Sequence, residues 1–194
     1  KEWYQKLLDE YHKWLSYQKK WKEERNHSLQ SLEFPFSYRE GQRKMVSSVY
    51  HAIGASRQIF IQAPTGVGKT MSTIFPAVRA VGEGKGETIF YLTAKTITRT
   101  VAQEAFEVLR EKGMKYKVVT ITAKEKLCFM DETKCDPVHC PYARGHFDRV
   151  NDAVYELWTT KSRYDRETIR EQAEKWQVCP FEMCLDLSVW VDAV

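Results

Sequence analysis

The stretch of sequence that decides the fold runs from Gln58 to Thr70 and reads QIFIQAPTGVGKT. Its first four residues form a short apolar run after Gly54, which predicts a buried strand. The next residues match the phosphate-loop pattern GxxxxGK[ST], except that Ala63 stands where the first glycine is usual. A phosphate loop lies between a strand and a helix, and this segment predicts both. We therefore predict a nucleotide site here.

The spacing of the loop suits the chemistry of a bound nucleoside triphosphate. Gly66 and Gly68 allow the backbone to turn its N–H groups towards the β-phosphate, and the following helix N-terminus adds partial positive charge. Lys69 can reach the β- and γ-phosphates, and the Thr70 hydroxyl can bind Mg²⁺. A chance match in an unrelated loop is the alternative.

The regions around the loop alternate between strand and helix patterns. We predict further strands over 88–92 and 117–121 and helices over 69–81 and 96–112. Strands that alternate with helices predict an α/β fold, in which a parallel sheet carries helices on both faces.

The first part of the chain predicts one long helix over residues 1 to about 30. Large apolar residues recur there at three- and four-residue steps, among them Trp3, Leu7 and Tyr11. We interpret it as a helix packed on its own protein, with a partner-binding helix as the alternative. Ser37 is the predicted N-cap of a second helix from Tyr38 to about Ala52.

A glutamine lies on this second helix, upstream of the phosphate loop. The Gln42 amide carries both a donor and an acceptor, so it can read the edge of adenine. Its neighbours Tyr38 and Arg39 support that hypothesis. The alternative is a solvated helix residue.

The alternation of strands and helices stops after Thr122. Residues 123–145 contain Cys, Pro, Asp and His without a regular period, and 146–176 predict charged helix. An odd total of five cysteines argues against a disulfide framework and favours metal ligation with one thiol to spare. The spacing leaves open zinc held by the pairs Cys135/Cys140 and Cys179/Cys184, or free structural cysteines.

Charge and hydropathy restrict the partners and the location only weakly. The formal net charge of +4 is compatible with a polyanionic partner. No signal peptide is visible, and no apolar run approaches the roughly 20 residues that cross a bilayer. We therefore expect a cytoplasmic protein with no membrane contact. Both ends look like cuts in a longer chain.

Three features together resemble the XPD/DinG family of superfamily 2 helicases. They are the YRxxQ start at Tyr38, the APTGVGKT loop, and a cysteine-bearing insertion between KEKLC (124–128) and WQVCPF (176–181). The resemblance covers residues 34–194. It implies a RecA-like motor domain over 34–122, an iron–sulfur insertion over 123–184, and a return segment over 185–194. Residues 1–33 then form an N-terminal helix or linker.

The resemblance implies ATP-driven translocation on single-stranded or forked DNA, usually 5′ to 3′, in a DNA-repair helicase that we expect to be monomeric. It assigns ATP and Mg²⁺ to Tyr38, Arg39, Gln42, Ala63, Pro64, Thr65, Gly66, Val67, Gly68, Lys69 and Thr70. It assigns DNA backbone contacts to Thr93, Lys95 and Thr96. For that segment the alternative is an ordinary strand-to-helix turn capped by Thr96.

The same resemblance implies a [4Fe–4S] cluster held by Cys128, Cys135, Cys140 and Cys179, with Lys124 against the thiolates. Pro180 favours the first position of a helix, so Cys179 is the predicted N-cap. Cys184 would follow about one and a half turns later on another face, which makes it the predicted spare thiol.

One acidic pair resembles the Mg²⁺-binding motif of a motor ATPase. Asp131 and Glu132 follow an apolar run, but Thr133 and Lys134 come next instead of the Ala/Cys-His of a DEAH-type helicase. We expect the genuine motif beyond Val194, so this chain alone should hydrolyse ATP negligibly. A rival hypothesis is a regulatory phosphate-loop module with structural zinc that uses this pair. A third is a DNA- or partner-binding fragment with an idle loop.

Overall fold

The structure, a computed structural model, describes residues 1–94 and 96–194, with the backbone alone for Thr96. The chain divides into two compact units, Lys1–Lys115 and Tyr116–Val194. Within the described ranges, no helix combines the length and the apolar character that crossing a membrane requires. The domain bounds predicted from the sequence at residues 33, 122 and 184 stay predictions.

The described residues of the first unit form four helices. They are α1 (Glu2–Gln30), α2 (Gln42–Gly54), α3 (Lys69–Gly82) and α4 (Thr96–Glu111). The long N-terminal helix and the helices predicted after the phosphate loop and over 96–112 are therefore confirmed. Periodic apolar positions explain α2 and α3, which bury side chains such as Met45, Val49, Ile74 and Val78.

The C-terminal end of α1 packs on the rest of its unit. Leu29 is fully buried, and Arg79 of α3 donates to the carbonyls of Leu29 and Leu32 at 3.1 and 3.3 Å. These bonds attach the C-terminal end of α1 to α3. The first half of α1 is different, since Trp3 is 74% exposed and Tyr11 58% exposed. The hypothesis that α1 packs on its own protein therefore holds for the C-terminal end of the helix.

The start of α2 differs from the prediction. The helix begins at Gln42, and its N-cap is Gly41 in the left-handed region with φ 72°, so Ser37 is not the cap. Glycine adopts this φ without a Cβ penalty, and it can therefore turn the chain into the helix later than the serine would. Residues 38–41 form an irregular segment instead.

Two of the three predicted strands are not observed. Residues 58–61 form no strand, and residues 88–92 contain a single bridge residue, Ile89, without a strand, which corrects the prediction of a sheet through the middle of this unit. Parallel strands are stabilised by burial on both faces of the sheet. Here Phe60 is 95% exposed and Leu92 is 87% exposed, so the apolar pattern is present without that burial.

The second unit combines short strands with four helices. Its elements are β1 (Val118–Val119), α5 (Lys124–Leu127), α6 (His146–Thr160), β2 (Arg163–Tyr164), α7 (Arg166–Trp176) and α8 (Pro180–Ser188). The third predicted strand is confirmed in shortened form as β1. It pairs in parallel with β2, Val118 opposite Arg163. The strands β1 and β2 form the sheet of the described residues. Helices make up most of the regular structure in the described residues.

A buried lysine joins β1 to the end of α6. Lys117 is 2% exposed, and its ammonium donates to the carbonyls of Trp158 and Lys161 and to the Tyr164 hydroxyl. Burial lowers the pKa of Lys117 to about 8, while the nearby Asp192 carboxylate opposes that shift. Lys117 therefore satisfies carbonyls at a helix C-terminus.

A carboxylate connects α6 with α7. Glu156 accepts hydrogen bonds from Gln172 at 3.1 Å and from the Trp176 indole N–H at 2.6 Å, and it pairs with Lys175. The predicted charged helix over 146–176 is thus two helices that this cluster of bonds holds side by side. Together they support the segment that leads to Cys179.

Candidate functional site

The phosphate loop has the backbone conformation that its glycines predict. Gly66 and Gly68 lie in the left-handed region, with φ of 84° and 77°, and α3 starts directly afterwards at Lys69. A Cβ on Gly66 would meet nothing within 4 Å, whereas one on Gly68 would lie 2.6 Å from Gln42 Nε2. Gly68 is therefore required both by its φ and by close packing.

The loop lysine is held by its own loop. Lys69 Nζ donates to the carbonyls of Ala63 and Pro64 at 3.1 and 2.8 Å. Thr70 follows in the first turn of α3 and is half-buried. An anion at this helix N-terminus would offer Nζ a charged acceptor in place of two neutral carbonyls.

A pocket of about 660 Å³ adjoins the loop. Ala63, Pro64 and Val67 line one side, and Gly41 and Lys44 line another. Thr65 is exposed at the turn of the loop. The arrangement is large enough for a ligand of nucleotide size.

The structure brings the YRxxQ segment against the phosphate loop. Arg39 donates from its guanidinium to the Gly66 carbonyl. Gln42 is 3% exposed, and its Oε1 accepts the backbone N–H of Arg39 at 3.0 Å. Tyr38 stacks on Phe34, with 4.3 Å between ring centroids. The buried Gln42 side chain thus lies against the loop. Its contact with adenine stays a prediction.

The predicted DNA-contacting residues are described only in part. Thr93 is exposed, and α4 begins at Thr96. Lys95 and the Thr96 side chain lie outside the described residues, so this prediction stays open.

Asp131 and Glu132 do not follow a strand. Both are exposed in an irregular segment, and Glu132 pairs with Lys134 at 2.7 Å. Their surroundings differ from the strand end that a Mg²⁺-binding acidic motif requires.

Four of the five cysteines surround one cavity in the second unit. Cys128, Cys135, Cys140 and Cys179 line a space of about 30 Å³, which is comparable to the volume of one water molecule. Cys184 is outside this lining and fully buried on α8. Burial raises the pKa of the Cys184 thiol to about 11, so that this cysteine is an inert thiol at neutral pH.

The N-terminus of α8 positions the fourth cysteine, as predicted. Cys179 is the N-cap and Pro180 the first helical residue. Burial raises the pKa of Cys179, while the backbone N–H groups of Glu182 and Phe181 act against that shift. The helix N-terminus therefore offsets part of the burial penalty for a thiolate.

Lys124 supplies positive charge to the same cavity. The side-chain hydrogen bond with Cys135 raises the pKa of Lys124, with Glu182 and Cys179 contributing. Its Nζ lies 3.8 Å from the Glu182 carboxylate and 5.5 Å from the centroid of the Phe181 ring. Across the described ranges, no three His, Cys, Asp or Glu side chains are already gathered tightly enough to hold a metal ion.

Comparison with known proteins places the phosphate loop and the first cysteines in one family. The DEAD/DEAH box helicase family matches this chain from Arg39 to Tyr142, more than half of its 194 residues. The chain belongs to the DEAD/DEAH box helicase family. The matched range includes Arg39 and Gln42 of the YRxxQ segment, the loop and three of the four cysteines that line the cavity.

A relative of this helicase chain is the protein named "Probable ATP-dependent helicase MJ0942" from Methanocaldococcus jannaschii. The two are 29% identical over 123 residues, which are 61% of this chain and 18% of that protein. The chain thus corresponds to a small part of the length of this relative. No solved structure matches it.

Sequence reasoning missed two residues of the helicase chain that hold the cysteine segments. Arg170 donates to the carbonyls of Leu127 and Cys128 at 2.7 and 3.1 Å, and its guanidinium lies 4.4 Å from the centroid of the Phe129 ring. His146 is 4% exposed, and its Nδ1 accepts the Cys179 N–H at 3.2 Å. Both residues act across long sequence separations, so no local pattern reveals them.

Proposed function

We propose that this chain is the nucleotide-binding first part of an ATP-dependent DNA helicase motor of the XPD/DinG type. ATP hydrolysis would drive 5′ to 3′ translocation on single-stranded or forked DNA, in the cytoplasm and in the service of DNA repair. A RecA-like α/β fold of the motor domain is part of this proposal. The acidic motif and a second motor domain belong to the remainder of the protein.

The contact of the YRxxQ segment with the phosphate loop carries the nucleotide part of the proposal. Arg39 binds the Gly66 carbonyl, and Gln42 packs against Gly68. The loop is therefore stabilised by the segment that would also recognise the base. Lys69 would bind the β- and γ-phosphates, and Thr70 would bind Mg²⁺.

The cavity lined by four cysteines carries the iron–sulfur part. Cys128, Cys135, Cys140 and Cys179 are thiol donors of the kind that hold [4Fe–4S] clusters, and their convergence on one space fits that group. The cavity is small, so a cluster requires outward movement of the irregular segment that carries the exposed Cys135. Lys124 offsets negative charge on the thiolates.

The chemistry that such a cluster supplies is a set of four iron–thiolate bonds between segments that are distant in sequence. Arg170 holds the Cys128 segment to α7 through two carbonyls. The N-terminus of α8 holds Cys179. These residues would hold the cysteine-bearing insertion in one conformation. An element that separates DNA strands beside a translocating motor must be rigid.

The nucleotide site is tested with Lys69→Ala in the full-length protein. We expect loss of ATP hydrolysis and of DNA unwinding with an unchanged circular dichroism spectrum, because in the described part of the chain the Lys69 ammonium donates to two loop carbonyls. Lys115→Ala is the matched control, since Lys115 pairs with Glu24 away from the loop. ATP turnover by Lys69→Ala near the wild-type rate would show that the phosphate-loop assignment is wrong.

The metal site is tested by anaerobic purification of the chain and elemental analysis. We expect about four iron atoms per chain and visible absorbance, both lost on Cys→Ser substitution at 128, 135, 140 or 179. Cys184→Ser is the control and should retain iron. Stoichiometric zinc without colour, lost on Cys184→Ser, would replace the cluster by a paired-arm zinc site.

A further inference from the structure

Two side chains at the start of α6 bind the backbone at Cys179 and just before it. His146 Nδ1 accepts the Cys179 N–H at 3.2 Å. Arg149 donates to the carbonyls of Trp176 and Gln177 at 3.0 and 2.6 Å. Since α6 begins shortly after Cys140, these bonds join the segment of the first three cysteines to the segment of the fourth.

The bond to Cys179 distinguishes His146 from an ordinary buried residue. Nδ1 is the acceptor, so the proton of the neutral ring is on Nε2. Among the described residues, Nε2 has no hydrogen-bond partner, although the atom is buried. A buried N–H without a partner lowers stability. An apolar side chain would avoid that penalty, and the hydrogen bond to Cys179 is what the imidazole adds.

The hydrogen bond fixes the backbone from which the fourth thiol projects. Cys179 is the N-cap of α8 with φ −65° and ψ 119°, and its side chain lines the same cavity as Cys128 and Cys140. Rotation about the Cys179 backbone would break the hydrogen bond to His146. It would also move the thiol so that it no longer lines this cavity.

We infer that His146 is a positioning residue that aims the Cys179 thiol at the other three cysteines before any metal binds. The inference rests on the proposed iron–sulfur site for its functional meaning. The interaction itself lies between two residues of the chain.

Two substitutions separate positioning from packing. His146→Asn places an amide oxygen near the position of Nδ1 and keeps the acceptor, whereas His146→Leu removes it. We expect His146→Leu to lose iron to a chelator about tenfold faster than wild type, as for other residues that orient metal ligands. His146→Asn should stay close to wild type. His51→Leu, an exposed histidine of α2 in the other unit, is the control.

Stability of the metal-free protein provides a second readout. His146→Leu removes the buried unpartnered Nε2 but leaves the Cys179 N–H without its acceptor, whereas His146→Asn keeps the acceptor and buries an unpaired amide N–H. The thermal midpoints of the two variants without iron should therefore be similar. A residue that serves packing alone would lower iron retention and the metal-free midpoint together, and asparagine would not restore either. That pattern would overturn the inference.

Hydrogen exchange of the Cys179 amide tests the bond without any metal. We expect faster exchange in metal-free His146→Leu and near wild-type exchange in His146→Asn. Unchanged exchange and unchanged iron loss in His146→Leu would overturn the inference. If wild type and Cys179→Ser both lack iron, the iron–sulfur proposal fails instead, and the exchange rates still decide the role of His146.

Discussion

Replacing either glycine of the phosphate loop by alanine should destabilise the chain, but by different amounts. Both residues have φ in the left-handed region, where a Cβ costs about 1 to 2 kcal/mol. For Gly66→Ala this is the whole effect, because no atom lies within 4 Å of the new methyl group. For Gly68→Ala the methyl group would lie 2.6 Å from Gln42 Nε2.

The additional loss at Gly68 comes from Gln42. That side chain is 3% exposed, so it can give way only by losing the hydrogen bond from the Arg39 N–H. One such bond is worth about 1 kcal/mol. Gly68→Ala should therefore destabilise the chain by about 2 to 3 kcal/mol, roughly 1 kcal/mol more than Gly66→Ala.

A double-mutant cycle with Gln42→Ala isolates this contact. In the Gln42→Ala background, the loss of unfolding free energy caused by Gly68→Ala should fall to that of Gly66→Ala, which corresponds to a coupling of about 1 kcal/mol. Urea denaturation followed by circular dichroism gives the four free energies. Additive effects, or equal losses for the two glycines, would refute the packing of Gln42 against the loop.

Three further predictions concern charge and turnover. Between pH 8 and 10.5 the unfolding free energy of wild type should rise by up to about 3 kcal/mol relative to Lys117→Met. The folded pKa of Lys117 is about 8 against 10.5 for a free lysine, so the unfolded chain binds more protons in this window; a constant difference would contradict the shift. Glu156→Gln should lower the unfolding free energy by about 1 to 2 kcal/mol through weaker bonds to Trp176 and Lys175, while the exposed Glu171→Gln should change it by less than about 0.5 kcal/mol. The chain alone should hydrolyse ATP negligibly in a phosphate-release assay, and robust turnover lost on Glu132→Gln would make Asp131 and Glu132 the catalytic pair.

Features with a local chemical signal were predictable from the sequence. The start of α3 at Lys69 follows from two glycines and a helix pattern, and Cys179 as an N-cap follows from Pro180. Ser37 was the wrong cap because the left-handed Gly41 sets the start of α2. A serine signals a cap locally, whereas the contact of Gln42 with the loop depends on the folded unit.

Features that depend on distant partners were not predictable from periodicity. The strand β2 exists because Arg163 and Tyr164 pair with β1. A strand of two residues is too short to show an alternation of apolar and polar residues in the sequence. The apolar runs 58–61 and 88–92 show the opposite case, in which a strand pattern occurs without strand burial. Among the site residues, the resemblance grouped the cysteines, but neither it nor the spacing indicated His146 or Arg170.

The exposed end of α1 also gives the chain an internal optical probe. Of its six tryptophans, Trp3 on α1 is 74% exposed, whereas Trp158 in the second unit is fully buried and its ring lies 5.3 Å from that of Trp190. An exposed indole emits at longer wavelength and is quenched by acrylamide, and a buried indole is protected from both effects. Acrylamide should therefore quench Trp3 at the exposed end of α1 more strongly than Trp158 in the cysteine-bearing unit, without a label.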